Sequence, residues 1–253
     1  MTIPAKTWQT FVRRLANINA SAGDEMRKYI AHYGLENTDA LIRYAYALAT
    51  KYGEASAALA ADMYDAVAAL SGASVPPAAA AATAGYGETA AAMYATGESG
   101  NPEQVAGAVE RLVKLPAADT MLTNAVRDGA EFAWIPSGDT CAFCIMLASN
   151  GWQHASKKTM KGRHAEHIHA NCDCMFAIRF DPYTEVAGYD NGRQYREMYD
   201  DAEGRSSADK INAMRRKFYE QNSDEINEQK RSAYEKRRER ESSAAEEGDA
   251  GTP

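Results

Sequence analysis

The sequence has few of the features that mark membrane, secreted or DNA-coating proteins. No apolar run approaches the roughly 20 residues that a membrane helix needs. Residues 1–20 carry Arg13 and Arg14 in an amphipathic pattern and lack an apolar signal core, so we expect a protein made in a cytoplasm. The formal net charge of −7 disfavours a DNA-coating protein, although it is compatible with a local basic patch.

Cysteine is also scarce, and all four cysteines of the 253 residues lie in one stretch. Cys141 and Cys144 form a Cys-x-x-Cys pair, and a second group consists of His169, Cys172 and Cys174. Two thiols one turn apart, followed by a loop and a second ligand pair, are typical of structural zinc sites with four tetrahedral ligands. The pattern therefore predicts a zinc site with five candidate ligands for four places.

Three other states of these thiols are open: two disulfides, buried cysteines, or surface thiols without a role. Disulfides need an oxidising compartment, and the start of the chain does not resemble a secretory signal, so metal binding is preferred. Three further histidines in the stretch, at 154, 164 and 167, are more typical of solvated loops than of ligands.

An enzymatic reading of the same stretch is the first alternative function. His164 and Glu166 match the His-x-Glu of zinc deaminases, but in those enzymes a Pro-Cys-x-x-Cys follows, whereas here the Cys-x-x-Cys comes first. A zinc hydrolase would need an open metal position and a carboxylate base. Carboxylates close to the cysteines, each more typical of a turn or loop, are Asp139, Glu166 and Asp173.

A nucleic-acid-binding zinc module is the second alternative function. Basic residues cluster between the two ligand groups, and such a cluster can contact phosphates. They are Lys157, Lys158, Lys161 and Arg163.

Helical periodicity dominates the chain before Gly129 and after Gln194. Either Asn37 or Thr38 is suited to cap one helix and Asn101 to cap another, and Pro102 is suited to a first helical position. We expect breaks at glycines 23 and 53, and the end of a helix before Pro116. The alanines after the pair of prolines 76–77 predict a loose helix.

The period changes around the cysteines. Glu131–Ile135 and Met175–Phe180 are short, apolar and aromatic, and are predicted to be strands that pair across the metal site. Between them we predict a short helix over Phe143–Ala148 and a turn at Asn150–Gly151. The predicted fold class is mainly α, with a small α+β zinc-knuckle domain and a long C-terminal helix.

Five segments follow from these patterns. They are an N-terminal helical region (1–74), a pliable Ala/Gly/Pro connector (75–100), a core domain (101–190) with the metal knuckle (131–180), a C-terminal helical arm (191–240) and a disordered tail (241–253).

The cysteine stretch resembles a known family. It reads Gly-Asp-x-Cys-x-x-Cys over 138–144, then Leu-Ala-Ser-x-Gly over 147–151, then His-x-x-Cys-x-Cys over 169–174. This is similar to tailed-phage minor head proteins of the Mu F type, in the actinobacterial branch of capsid or head morphogenesis proteins. The family usually has proline after the histidine of the last motif, where this chain has Ala170.

The resemblance implies a minor structural virion protein rather than an enzyme. Such a protein would act in head morphogenesis near the portal, with a structural zinc ion. Its partners would be portal and capsid proteins and, as a further expectation, packaged DNA, with no membrane and no small-molecule substrate. It would be assembled in the host cytoplasm and reside in the virion.

Overall fold

A computed structural model describes residues 2–136, 141–156, 175–186 and 192–221, together with residues 223, 224, 227, 228 and 231. This part of the chain is mainly helical, as the sequence predicts. Its helices are α1 (Ala5–Tyr33), α2 (Thr38–Ser71), α3 (Tyr86–Gly97), α4 (Pro102–Asp128), α5 (Ala142–Ser149), α6 (Gly192–Asp200) and α7 (Ser207–Gln221). Its strands are β1 (Thr2–Ile3), β2 (Glu131–Ile135), β3 (Gln153–His154), β4 (Met175–Arg179) and β5 (Glu185–Val186).

Contacts group the chain into two compact units, Met1–Asp200 and Asp201–Pro253. The first unit holds every element up to α6, and the second holds α7, in which Met214 is buried. The five segments predicted from the sequence remain predictions. The described helices include none that is long and apolar enough to span a membrane.

The long helices α1, α2 and α4 pack together through apolar stripes. One buried cluster includes Leu15, Met63 and Leu122, and a second includes Met26, Ile42 and Val109. The predicted caps are confirmed, since the side chains of Asn37 and Asn101 accept hydrogen bonds from the backbone N–H groups of Ala40 and Glu103. The bundle thus uses the helical faces that the periodicity predicts.

The predicted helix breaks at glycines 23 and 53 and at Pro116 are wrong, because all three lie inside continuous helices. Each glycine instead permits a close approach. A Cβ on Gly23 would lie 1.9 Å from Glu110 Oε1, and one on Gly53 would lie 2.9 Å from Thr83 Cγ2. Packing around α4 outweighs the local cost of its proline, which is buried.

The alanines after the two prolines lie outside any helix, which corrects the expectation of a loose helix. We call residues 73–85 the strap. In a helix, the backbone N–H and C=O groups would bond to each other. In the strap, several of these groups bond instead to side chains from α2 and α4. Its bonds are Ala78 N to Asp65 Oδ1 (2.8 Å), Ala79 N to Asn124 Oδ1 (3.0 Å), Asn124 Nδ2 to Ala79 O (2.9 Å) and Ala81 N to Thr120 Oγ1 (2.9 Å).

The predicted strands around the cysteines are confirmed. Strand β2 lies between β3 and β4 and is antiparallel to both, with Ile135 opposite Met175 and Glu131 opposite Arg179. Buried aromatic side chains join the sheet to the bundle, since Phe132, Trp134 and Phe176 belong to the same cluster as Leu122 of α4. In the described residues, β1 and β5 form a separate parallel pair.

Candidate metal centre

The first ligand pair lies at the start of α5. Cys141 is the N-cap residue, with extended backbone angles (φ −71°, ψ 158°), and its sulfur accepts a hydrogen bond from the N–H of Cys144 at 3.5 Å. The short helix that the sequence predicts over 143–148 is therefore confirmed, and it begins at the cysteine pair. An N-cap sulfur faces the unpaired N–H groups of the helix, which favour negative charge at that end.

The two sulfurs are placed as one edge of a metal site would require. Cys141 Sγ and Cys144 Sγ are 3.5 Å apart. Two thiolates on one tetrahedral zinc ion, each about 2.3 Å from the metal, are separated by about 3.8 Å. A disulfide would place them about 2.05 Å apart, and neither cysteine forms one among the described residues. The donor type and the spacing of this pair therefore fit zinc.

The two sulfurs differ in exposure. Cys144 is 2% exposed and belongs to the hydrophobic cluster that contains Ile135, Leu147 and Met175, whereas Cys141 is half-buried at the edge of that cluster. The apolar side chains beneath the pair fix the position of Cys144, and Cys141 lies nearer to solvent.

The pairing of β2 with β4 shows where the two ligand-bearing segments of the chain leave the sheet. Only residues 136–140 separate Ile135 from Cys141, and Cys174 directly precedes Met175. Because Ile135 and Met175 are paired residues of β2 and β4, the two chain segments that carry the predicted ligands start from the same end of the sheet.

Near the other end of the sheet, charged and aromatic side chains link β2, β4 and the turn before β3. Arg179 donates a hydrogen bond to Glu131, and its guanidinium lies over the ring of Trp152 at 4.5 Å. Trp152 follows the predicted turn at 150–151, which is confirmed by the left-handed φ of 64° at Gly151. Sequence analysis missed this cluster, although alternation in β4 places Arg179 on one face with Met175 and Ala177.

Trp134 is another residue whose position the sequence did not indicate. It is 2% exposed, and its ring lies 4.2 Å from that of Phe176 on β4. Its indole Nε1 is buried without a hydrogen-bond partner in the part of the chain that the structure describes. The sequence pointed to this buried indole only through the position of the tryptophan, two residues before Pro136 at the end of a predicted strand.

Most of the other predicted site residues cannot be compared with the structure. His154 is described, and it lies exposed on β3 opposite Glu131, whereas a loop was expected. The remaining candidates lie outside the described residues: the ligands His169, Cys172 and Cys174, the carboxylates Asp139, Glu166 and Asp173, the histidines 164 and 167, and the basic residues Lys157, Lys158, Lys161 and Arg163. Among the described residues, no three metal-ligating side chains lie close enough together to hold an ion.

Comparison with known families identifies the chain. A family described as VG15 protein matches residues 2–202. The chain belongs to the VG15 protein family. This is a family of viral gene products, so the chain is, at this coarse level, a phage protein. No curated protein and no solved structure matches this VG15 family member.

Proposed function

We propose that this VG15 family member is a minor structural protein of a tailed-phage virion, which acts in head morphogenesis near the portal. The proposal further assigns it a structural zinc ion held by Cys141, Cys144 and two of His169, Cys172 and Cys174. The observation that carries the zinc assignment is the 3.5 Å separation of the first two sulfurs at the start of α5.

The role of the zinc would be mechanical. The sheet beside the site is small, and β3 contributes only two residues to it. Small sheets need further support, and metal binding supplies folding free energy directly. When bound, the ion would cross-link the segment after β2 to the segment before β4, and no residue would carry out a reaction.

The helices supply surfaces for protein partners. Tyrosine is enriched at interfaces because it combines a large apolar ring with a polar end. Tyr46 and Tyr86 meet edge to face at the junction of α2 and α3, at 5.4 Å between ring centroids. Four tyrosines of helices α1 to α3 are exposed: Tyr33, Tyr46, Tyr86 and Tyr94. Such surfaces support contacts with portal or capsid subunits.

Metal analysis tests the zinc assignment. Protein purified under reducing conditions should hold about one zinc ion per chain. Cys141→Ser and Cys144→Ser should each lose it, because each removes a thiolate. His169→Ala, Cys172→Ser and Cys174→Ser should differ in severity, since two of these three places suffice.

His154→Ala is the matched control, and it should retain the metal because this exposed histidine is outside the proposed ligand set. A wild-type protein that holds no metal, and whose four thiols all react rapidly with a thiol probe, would contradict the zinc assignment.

Analysis of purified phage particles tests the virion role. Quantitative mass spectrometry should find the protein in particles at a small fraction of the major capsid protein, and crosslinking should join it to the portal. Its presence in infected cells together with its absence from particles would exclude a virion component.

A further inference from the structure

We propose that Cys141 and Cys144 also form a reversible dithiol–disulfide pair, which small disulfides such as oxidised glutathione close. Release of zinc on closure of this bond rests on the proposed function, whereas the disulfide step rests on the geometry of the two sulfurs alone.

The separation of the two sulfurs carries the first step. They lie 3.5 Å apart and have to approach by only about 1.5 Å to reach bonding distance. Both are held at the start of α5, where the N–H of Cys144 already binds the Cys141 sulfur. We expect rotation of the two side chains to join them while α5 stays intact.

The difference in exposure assigns a role to each sulfur. Cys144 is 2% exposed, so an oxidant the size of glutathione cannot reach it without local opening. Cys141 is half-buried at the edge of the hydrophobic cluster, so its sulfur is the one that a small disulfide can reach. Cys141 is therefore the attacking thiol, and Cys144 is the resolving thiol.

The reaction proceeds by two thiol–disulfide exchanges. The Cys141 thiolate attacks one sulfur of oxidised glutathione, which breaks that S–S bond, forms a mixed disulfide and releases one glutathione thiolate. Cys144 then attacks the Cys141 sulfur, forms the Cys141–Cys144 bond and releases the second glutathione. The protein pair loses two electrons and two protons, and the two released glutathione molecules gain them.

Closure of this bond would remove two thiolate ligands from the proposed zinc site. Zinc binds the negatively charged thiolate, and a disulfide sulfur is neutral. The ion should therefore leave as the bond forms. Under oxidising conditions, residues 141 and 144 would be joined by a covalent bond. Under reducing conditions, the same two residues would be thiolates able to bind a metal.

Disulfide mapping of the full-length protein tests the inference. Reduced protein is desalted, its zinc content is measured, and it is incubated with oxidised glutathione before remaining thiols are blocked. Chymotryptic cleavage after Phe143 separates the two cysteines, so their peptides stay together only when they are bonded. We expect the Cys141–Cys144 linked peptide as the main product, and its loss after reduction.

Single-cysteine variants test the assigned roles. In a background that carries Cys172→Ser and Cys174→Ser, Cys144→Ser should accumulate glutathione on Cys141, because no resolving thiol is left. In the same background, Cys141→Ser should leave Cys144 unmodified over the same period. A main product that joins Cys141 to Cys172 or Cys174, or no linkage of Cys141 at all, would overturn the inference. The zinc measured before oxidation tests the proposed function separately, so the two failures are distinguishable.

Discussion

At the scale of single residues, the clearest polar centre is the carboxylate of Asp128 at the end of α4. Its side chain is 3% exposed and accepts hydrogen bonds from Arg127 (2.7 Å to each carboxylate oxygen) and from the buried Tyr64 hydroxyl (2.8 Å). The Arg127 guanidinium, helped by Tyr64, holds the pKa of Asp128 below its usual value. The same guanidinium donates to the carbonyls of Pro76 and Pro77, so one ion pair joins α2, the strap and α4.

Asp128 should make the stability of the protein depend on acid pH. A carboxyl whose folded pKa is lowered stabilises the protein fully above its unfolded pKa of about 3.9, and this stability is lost as pH falls through the folded pKa. Asp128→Asn should lower the free energy of unfolding at pH 7 by about 1.5–3 kcal/mol, as expected for hydrogen bonds to a charged group. Below about pH 4 its difference from wild type should shrink.

Urea denaturation at several pH values measures this effect. Asp62→Asn is the matched control, because Asp62 is exposed on α2 and its replacement should change little at any pH. A difference between Asp128→Asn and wild type that stays constant from pH 7 to pH 3 would show that the ionised carboxylate is not the stabilising form.

At the scale of elements, the strap shows what the sequence could predict and what it could not. The prolines predicted a break correctly, but the alanines that follow have high helix propensity and no side chain that indicates a non-helical segment. The deciding residues, Asp65, Thr120 and Asn124, lie on other helices and bond the strap only after those helices have packed. These contacts join residues that are far apart in the sequence, so no local sequence pattern predicts them.

The candidate metal centre likewise has features that local sequence patterns predicted and features that depend on packing. The Cys-x-x-Cys spacing predicted the thiol pair, and local alternation predicted both strands, because these signals lie within a few residues of each other. The exposure difference between the two sulfurs and the Arg179–Trp152 contact depend on how α5 and the sheet pack, so no short window of sequence contains them.

Asn124→Ala should release the middle of the strap. The amide side chain is 2% exposed and binds both the N–H and the C=O of Ala79, as a neighbouring strand would. Its loss should cost about 1–3 kcal/mol of unfolding free energy, the usual range for two or three hydrogen bonds that water partly replaces. Hydrogen exchange at the Ala79 amide should accelerate more than exchange at Ala130, whose N–H binds the Ala125 carbonyl.

Thr120→Ser serves as the control, since serine keeps the hydroxyl that accepts from Ala81 N, and this variant should retain near-normal exchange at both amides. Equal acceleration at Ala79 and Ala130 in Asn124→Ala would mean that the strap does not open as a local unit.

At the scale of the whole molecule, two independent boundaries nearly coincide. Contacts within the chain separate Met1–Asp200 from the rest, and the family match ends at residue 202. The first unit contains both hydrophobic clusters and the described cysteines, so it holds the core and the candidate site together. The second unit contributes α7, in which Met214 is buried.

A chain truncated after residue 202 should therefore fold by itself. Because both buried clusters lie before residue 200, the truncated protein should keep the cooperative thermal unfolding of the full chain, with a midpoint within about 4 °C, equivalent to roughly 1–2 kcal/mol. Its zinc content should equal that of the full chain. Scanning calorimetry together with metal analysis of both proteins measures these quantities.

Truncation after Gln153, which removes β4 from the sheet, gives the contrasting variant and should abolish cooperative unfolding. A 1–202 protein that unfolds without cooperativity would show that the last 51 residues belong to the core and that the contact boundary is not a folding boundary.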